Sequence, residues 1–129
     1  MTDVLIVGAG PVGMLLAGLL AREGVDVEIY ERRPAAGDGT RAIGLHAPAL
    51  AALETSGLTD ELLASAARVD RGEARAGADL LGTVRFDRLR TRFPFVATLP
   101  QAETERILAA RAAEPLRGAH VMALDPRGD

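Results

Sequence analysis

Two apolar runs open the chain. Val4–Val7 is apolar throughout, and in Val25–Tyr30 the residues Val25, Val27 and Ile29 alternate with Asp26 and Glu28. An unbroken apolar run suits a strand at the centre of a parallel sheet, and alternation suits a strand with one covered face. Strands are therefore predicted at Asp3–Val7 and Val25–Glu31. Between them Pro11–Glu23 carries a helical pattern, with Ala17 and Gly18 as a small face for close packing and Gly24 in the usual stop position.

The pattern weakens after Glu31. Arg32–His46 is a 15-residue connection holding Pro34, Gly37, Gly39 and Gly44, and structureless loops of that length are often functional. Pro48–Ser56 reads as a helix closed by Gly57, and Thr59 as the cap of a short helix, Asp60–Ala67. Asp70–Gly77 is turn-like. Ala78–Leu81 and Thr83–Asp87 form a weak hairpin about Gly82. Pro94 marks Phe93–Leu99 as an edge strand or extended segment. Gln101–Ala113 is a helix stopped by Pro115 and Gly118, and Ala119–Leu124 is a candidate third parallel strand.

Composition narrows the class. With 129 residues, 48% hydrophobic and 26% charged, the chain fits one ordinary globular domain. A net charge of −3 gives no reason to expect nucleic acid or an anionic membrane as partner, although all 15 basic residues are arginine. Having no cysteine excludes disulfides, thiolate metal sites and a cysteine nucleophile, and fits the cytoplasm. His46 and His120 lie far apart, with no metal-ligand pattern. Val4–Ala21 holds no charge over 18 residues, but Pro11 and the glycines interrupt it and no basic segment precedes it. A buried strand and its helix explain it better than a membrane span or signal peptide.

The strongest chemical signal is Gly8-Ala9-Gly10-Pro11-Val12-Gly13, placed between the first strand and its helix, with Glu31 ending the second strand 18 residues after Gly13. This is the dinucleotide-binding pattern in its required context. Gly8 permits the tight turn, Gly10 lets the backbone approach a pyrophosphate, and Gly13 lets helix and strand pack. The helix start offers N–H groups and a positive dipole end to phosphate, and Pro11 suits a first helical turn. Glu31 can accept from ribose hydroxyls and disfavours a 2′-phosphate, which favours FAD or NAD over NADP. Arg32 and Arg33 are the usual NADP signal and pull the other way. The residues alone leave FAD and NAD both open.

Other charged residues have plainer readings. Arg41 is either a solvated loop arginine or the partner of a buried anion. His46 reads as a loop histidine or helix cap, and His120 as a strand residue. Arg88, Arg90 and Arg92 share one face if extended, either a solvated edge or a site for a nicotinamide phosphate or acidic substrate. Glu103 and Glu105 favour a helix start, as Asp60 and Glu61 do. No residue is assigned as acid, base or nucleophile.

In order, GAGPVG, YERR, TRAIGLHAPALAALETSGL and RFPFVATLPQAETERIL resemble the N-terminal region of class A FAD-dependent aromatic hydroxylases, nearest the branch acting on aromatic polyketides and large aromatic antibiotics. RAIGLH and LPQAETERIL are its more specific blocks. The resemblance implies an α/β fold: a Rossmann-type FAD-binding domain with core 1–70 and 101–125, interrupted by a substrate-side β segment at 73–99. It implies FAD contacts from Gly8, Gly10, Val12 and Gly13 at the pyrophosphate, Glu31 at the ribose and Arg32 near the adenine. Arg41 would lie near the phosphate and ribityl region, and Gln101 on the ribityl chain. The implied activity is an NAD(P)H-dependent monooxygenation of an aromatic substrate. Family members are longer, with later Asp-Gly and Gly-Asp blocks that close around the flavin. The chain is therefore expected to be incomplete relative to them. The alternative is a non-catalytic nucleotide-binding module or truncated remnant that needs a partner chain or self-associates.

Overall fold

The computed structural model describes residues 1–37 and 42–125, and the chain divides into two units, 1–38 with 105–129 and 39–104. In the first, β1 (Val4–Val7) and β2 (Val27–Glu31) pair in parallel, Val4 opposite Val27 and Val7 opposite Tyr30. The connecting helix α1 (Pro11–Arg22) has Pro11 in its first turn and buries Met14, Ala17 and Gly18. A Cβ on Gly18 would stand 3.2 Å from the Arg111 carbonyl oxygen, so the small face permits that approach. The helix ends in a Schellman arrangement: the Gly24 N–H donates to Ala21 O, the Val25 N–H donates to Leu20 O, and Gly24 takes φ +79°.

A third strand does join β2 in parallel, but its place differs from the expected Ala119–Leu124. Tyr30 and Glu31 pair with Leu116 and Arg117, and residues 119–125 form no strand. Gly118, at φ +71°, turns the chain there, and the Gly118 and Ala119 amides donate back to the Arg33 and Glu31 carbonyls.

In the second unit β3 (Ala42–Leu45) falls within the stretch expected to be a loop. Helices α2 (Ala47–Ser56) and α3 (Thr59–Ser65) follow, then β4 (Ala67–Val69). Gly57, at φ +73°, ends α2 as expected. Thr59 is the first residue of α3 rather than its cap, and its buried hydroxyl donates to the Leu50 carbonyl at 3.1 Å.

Asp70–Gly77 is not a turn. β5 (Arg71–Ala76) pairs antiparallel with β6 (Asp79–Arg85), and the reversal lies at Gly77, φ +59°. Gly82 sits inside β6 at a register shift, where Ala74 opposes Gly82 but Arg75 opposes Leu80. Phe86–Arg88 is a single 3₁₀ turn, so Arg88, Arg90 and Arg92 do not share an extended face.

The next strand, β5's successor but one in chain order, is β7 (Val96–Pro100), and it is central rather than at an edge: β3 and β4 flank it, both antiparallel. Pro94 precedes the strand, so its missing N–H costs no ladder bond. Helix α4 (Gln101–Ala109) follows, with Gln101–Thr104 in this unit and Glu105–Ala109 in the first; it stops short of Ala113 because the chain turns at Ala110 and Arg111, and β8 is the Leu116–Arg117 pair described above. The core of this unit joins Ala47, Leu50, Phe93, Phe95 and Ala97. Phe93 and Phe95 meet edge to face at 6.2 Å, and the Arg68 guanidinium lies 3.8 Å above the Phe95 ring.

Candidate functional site: a glycine turn and a buried carboxylate

Local geometry builds the site where β1 ends. Gly8 has φ +106°, which an L side chain rarely adopts, and its N–H donates to Tyr30 O at 2.8 Å. A Cβ on Gly13 would lie 2.1 Å from the Gly8 carbonyl oxygen, so that residue allows α1 to start against the turn. Gly10 is different. Its φ of −79° and ψ of 176° suit any residue, and a Cβ there would meet nothing within 4 Å. Neither backbone strain nor packing requires glycine at this position. What its missing side chain leaves is open space at the start of a helix.

That helix start suits an anion. Gly10 is its N-cap and supplies no side-chain cap, and the first turn holds no acidic residue. The first amides of an α-helix have no intrahelical acceptor, and the dipole adds positive potential there. An adjoining cleft of about 580 Å³ is lined by Gly8, Gly10, Tyr30, Glu31, Arg32 and Arg33, among others.

Glu31 forms the other wall. It is 6% exposed. Its Oε2 accepts from the Ala9 N–H at 2.8 Å, and its Oε1 accepts from the Arg33 N–H at 2.9 Å and from Arg33 Nε at 3.2 Å. The Arg33 amide is the largest cause lowering its pKa to about 2 from an ordinary 4.5; the Ala9 amide and the Arg33 guanidinium add to it against the cost of burial. The carboxylate therefore stays charged and couples the end of β2 to the glycine turn.

The structure brings Gly8, Gly10, Glu31 and Arg32 to one cleft. Gly13 packs behind it, and Val12 is in the first turn of α1 with its side chain 82% exposed. Arg41 lies outside the described residues. Gln101 opens α4 and belongs to the unit 39–104. His46 is the N-cap residue of α2, without a side-chain cap bond, and its ring meets Phe86 edge-on at 5.9 Å. Arg92 pairs with Glu54.

Other parts of the wall are not evident from the sequence. Ala119, His120 and Val121 line the cleft from beyond the short third strand, where no periodic pattern marks them. Arg33 is bound to Glu31, and a basic residue two positions after the acid that ends β2 was the available signal. Among the described residues no cluster of His, Cys, Asp or Glu could hold a metal, and no helix is long and apolar enough to cross a membrane.

A parallel strand–glycine turn–helix–strand closed by an acid defines a nucleotide-binding α/β protein. Residues 1–122 match the family described as FAD binding domain, and the chain belongs to that family. It is similar to rifampicin monooxygenase of Rhodococcus hoagii, 38% identical over 88% of this chain and 23% of the relative. It is also similar to 12-dehydrotetracycline 5-monooxygenase/anhydrotetracycline 6-monooxygenase of Streptomyces rimosus, 35% identical over 98% of this chain and 25% of the relative. The solved p-nitrophenol 4-monooxygenase of Pseudomonas putida superposes with TM-score 0.78 at 28% identity, over 86% of this chain and 29% of that one. The chain thus spans about a quarter of the length of these curated relatives.

Proposed function

We propose that the chain is the FAD-binding portion of an NAD(P)H-dependent monooxygenase acting on an aromatic substrate. The observation that carries this is Gly10: a glycine required by neither conformation nor packing, beside an uncapped helix start and an ionised carboxylate. These residues suit the adenosine diphosphate half of FAD. Gly8, Gly10, Val12 and Gly13 would hold the pyrophosphate, Glu31 the ribose, and Arg32 the adenine side. Arg41 and Gln101 would serve the ribityl region. When bound, FAD supplies acceptance of hydride from NAD(P)H and transfer of one oxygen to the ring. The residues of this chain would bind and orient it.

The same reading makes 1–70 and 101–125 the core of a Rossmann-type domain, 73–99 a substrate-side segment, and the cytoplasm its place. Of the relatives named above, one is by name a rifampicin monooxygenase, one an anhydrotetracycline 6-monooxygenase and one a p-nitrophenol 4-monooxygenase, which supports an aromatic substrate. FAD fluorescence titrated with the purified chain tests the reading: saturable quenching at one FAD per chain is expected, and no response at millimolar protein contradicts it.

A second reading has its own support. Gly13 lies near Ile6, so Leu5 and Val7 point to the opposite face of β1, where they are 46% and 58% exposed. Leu116 beside Tyr30 is 57% exposed as well. Parallel sheets are normally covered on both faces. A binding module that takes a partner chain, or a second copy, over this face would show it as a concentration-dependent mass in light scattering.

A further inference from the structure

The donors around Glu31 are unequally shared between its two oxygens. An ionised carboxylate has about four lone-pair sites. Oε1 is filled by two donors of one residue, the Arg33 amide and Arg33 Nε, while Oε2 takes only the Ala9 amide. One lone pair of Oε2 is left. The far side of the Arg33 guanidinium is 4.0 Å from Oε1 of Glu105, a buried carboxylate at the middle of α4. Arg33 is itself held by its backbone, since its carbonyl accepts from the Gly118 amide at 3.2 Å.

We propose that Arg33 and Glu105 are positioning residues for ribose recognition: Arg33 occupies Oε1 of Glu31, Glu105 steadies the guanidinium, and Oε2 is left as the single acceptor for one ribose hydroxyl. This inference rests on the cleft being a dinucleotide site. It also gives Arg33 a place apart from the phosphate-binding role that two arginines after a strand-end acid would otherwise suggest. A guanidinium committed to a neighbouring carboxylate is poorly available to a 2′-phosphate. Discrimination is then set by a carboxylate whose orientation is fixed before the ligand arrives.

The test is calorimetric titration of the 129-residue chain with ADP, with 2′,3′-dideoxy-ADP and with adenosine 2′,5′-bisphosphate. The unaltered chain is expected to bind ADP about tenfold more tightly than the dideoxy compound, the value of one charge-assisted hydrogen bond. Arg33→Gln should reduce that preference to within threefold, read as the ratio of the two affinities in the same variant. Glu105→Gln should fall between the two, and Arg33→Lys should restore part of the preference. Thermal unfolding of each variant reports folding separately, because a merely structural role would lower stability and all three affinities together. Retention of the full preference in both Arg33→Gln and Glu105→Gln overturns the positioning role alone. Failure of the unaltered chain to bind ADP overturns it together with the dinucleotide reading.

Discussion

The glycine turn and the β5–β6 hairpin are both short, glycine-bearing reversals, yet they are held in different ways. At the turn, backbone and side chain over-determine one geometry: the Gly8 amide is fixed by Tyr30, the Ala9 amide by Glu31, and Gly13 by contact with the Gly8 carbonyl. In the hairpin every strand residue except Gly72 is exposed, including Leu80, Leu81 and Val84. Its side-chain bonds reach only near neighbours, Arg75 to Glu73 and Arg85 to Asp87. Exposed pairs of that kind contribute little, and isolated two-stranded hairpins are marginal. The turn is held by interlocking partners distant in sequence, whereas the hairpin is held by its own ladder and is left exposed.

The largest effect expected from breaking this contrast is Gly13→Ala. Its methyl group would meet a backbone oxygen at 2.1 Å, which no rotamer can relieve. Destabilisation of about 3 kcal/mol or more is expected in chemical denaturation, with loss of ADP binding. Gly10→Ala separates folding from binding. With open space and ordinary dihedrals, stability should change by less than about 1 kcal/mol, while ADP affinity falls about tenfold or more as the methyl group takes ligand space. Equal affinity in calorimetry would remove the reason given for that glycine.

A smaller effect is set by pH. The Glu31 carboxylate has its pKa depressed in the folded chain, from 4.5 to about 2. Its stabilisation is complete above pH 4.5 and is lost as pH falls through about 2, a contribution on the order of 3 kcal/mol at most. Arg33→Gln removes the guanidinium but keeps the amide, so the acid-unfolding midpoint followed by circular dichroism should move part of the way upward. An unchanged midpoint would show that the side chain adds nothing. The smallest effect is expected in the hairpin, where Leu81→Thr should alter stability by less than about 0.5 kcal/mol. A larger loss would show that the exposed hairpin is held more tightly than its contacts imply.

What could be read from the sequence follows the same division. Val4–Val7, the turn, α1, β2 and Glu31 were legible because each has a local cause: an apolar run, glycines of required spacing, a proline at a helix start, an acid at a strand end. Gly57 ending α2 was legible for the same reason. β5 was not, because Arg71-Gly72-Glu73-Ala74-Arg75-Ala76 has no apolar alternation and covers no core. Sequence alone favours Gly82 over Gly77 for the reversal, because it shows a glycine without its φ. The central place of β7 is a tertiary outcome, since its partners β3 and β4 come from distant parts of the chain. At the site, the acid and the glycines were visible. The hold of Arg33 on Glu31 and the wall at Ala119–Val121 arise only when β2 meets the segment after α4.

Amide chemical-shift mapping of the isotope-labelled chain during titration with ADP tests the central claim most directly. The account predicts saturable shifts concentrated at Gly8, Ala9, Gly10, Val12, Gly13 and Arg33. Shifts that leave the Gly8–Gly13 amides unmoved at saturating ADP would contradict it.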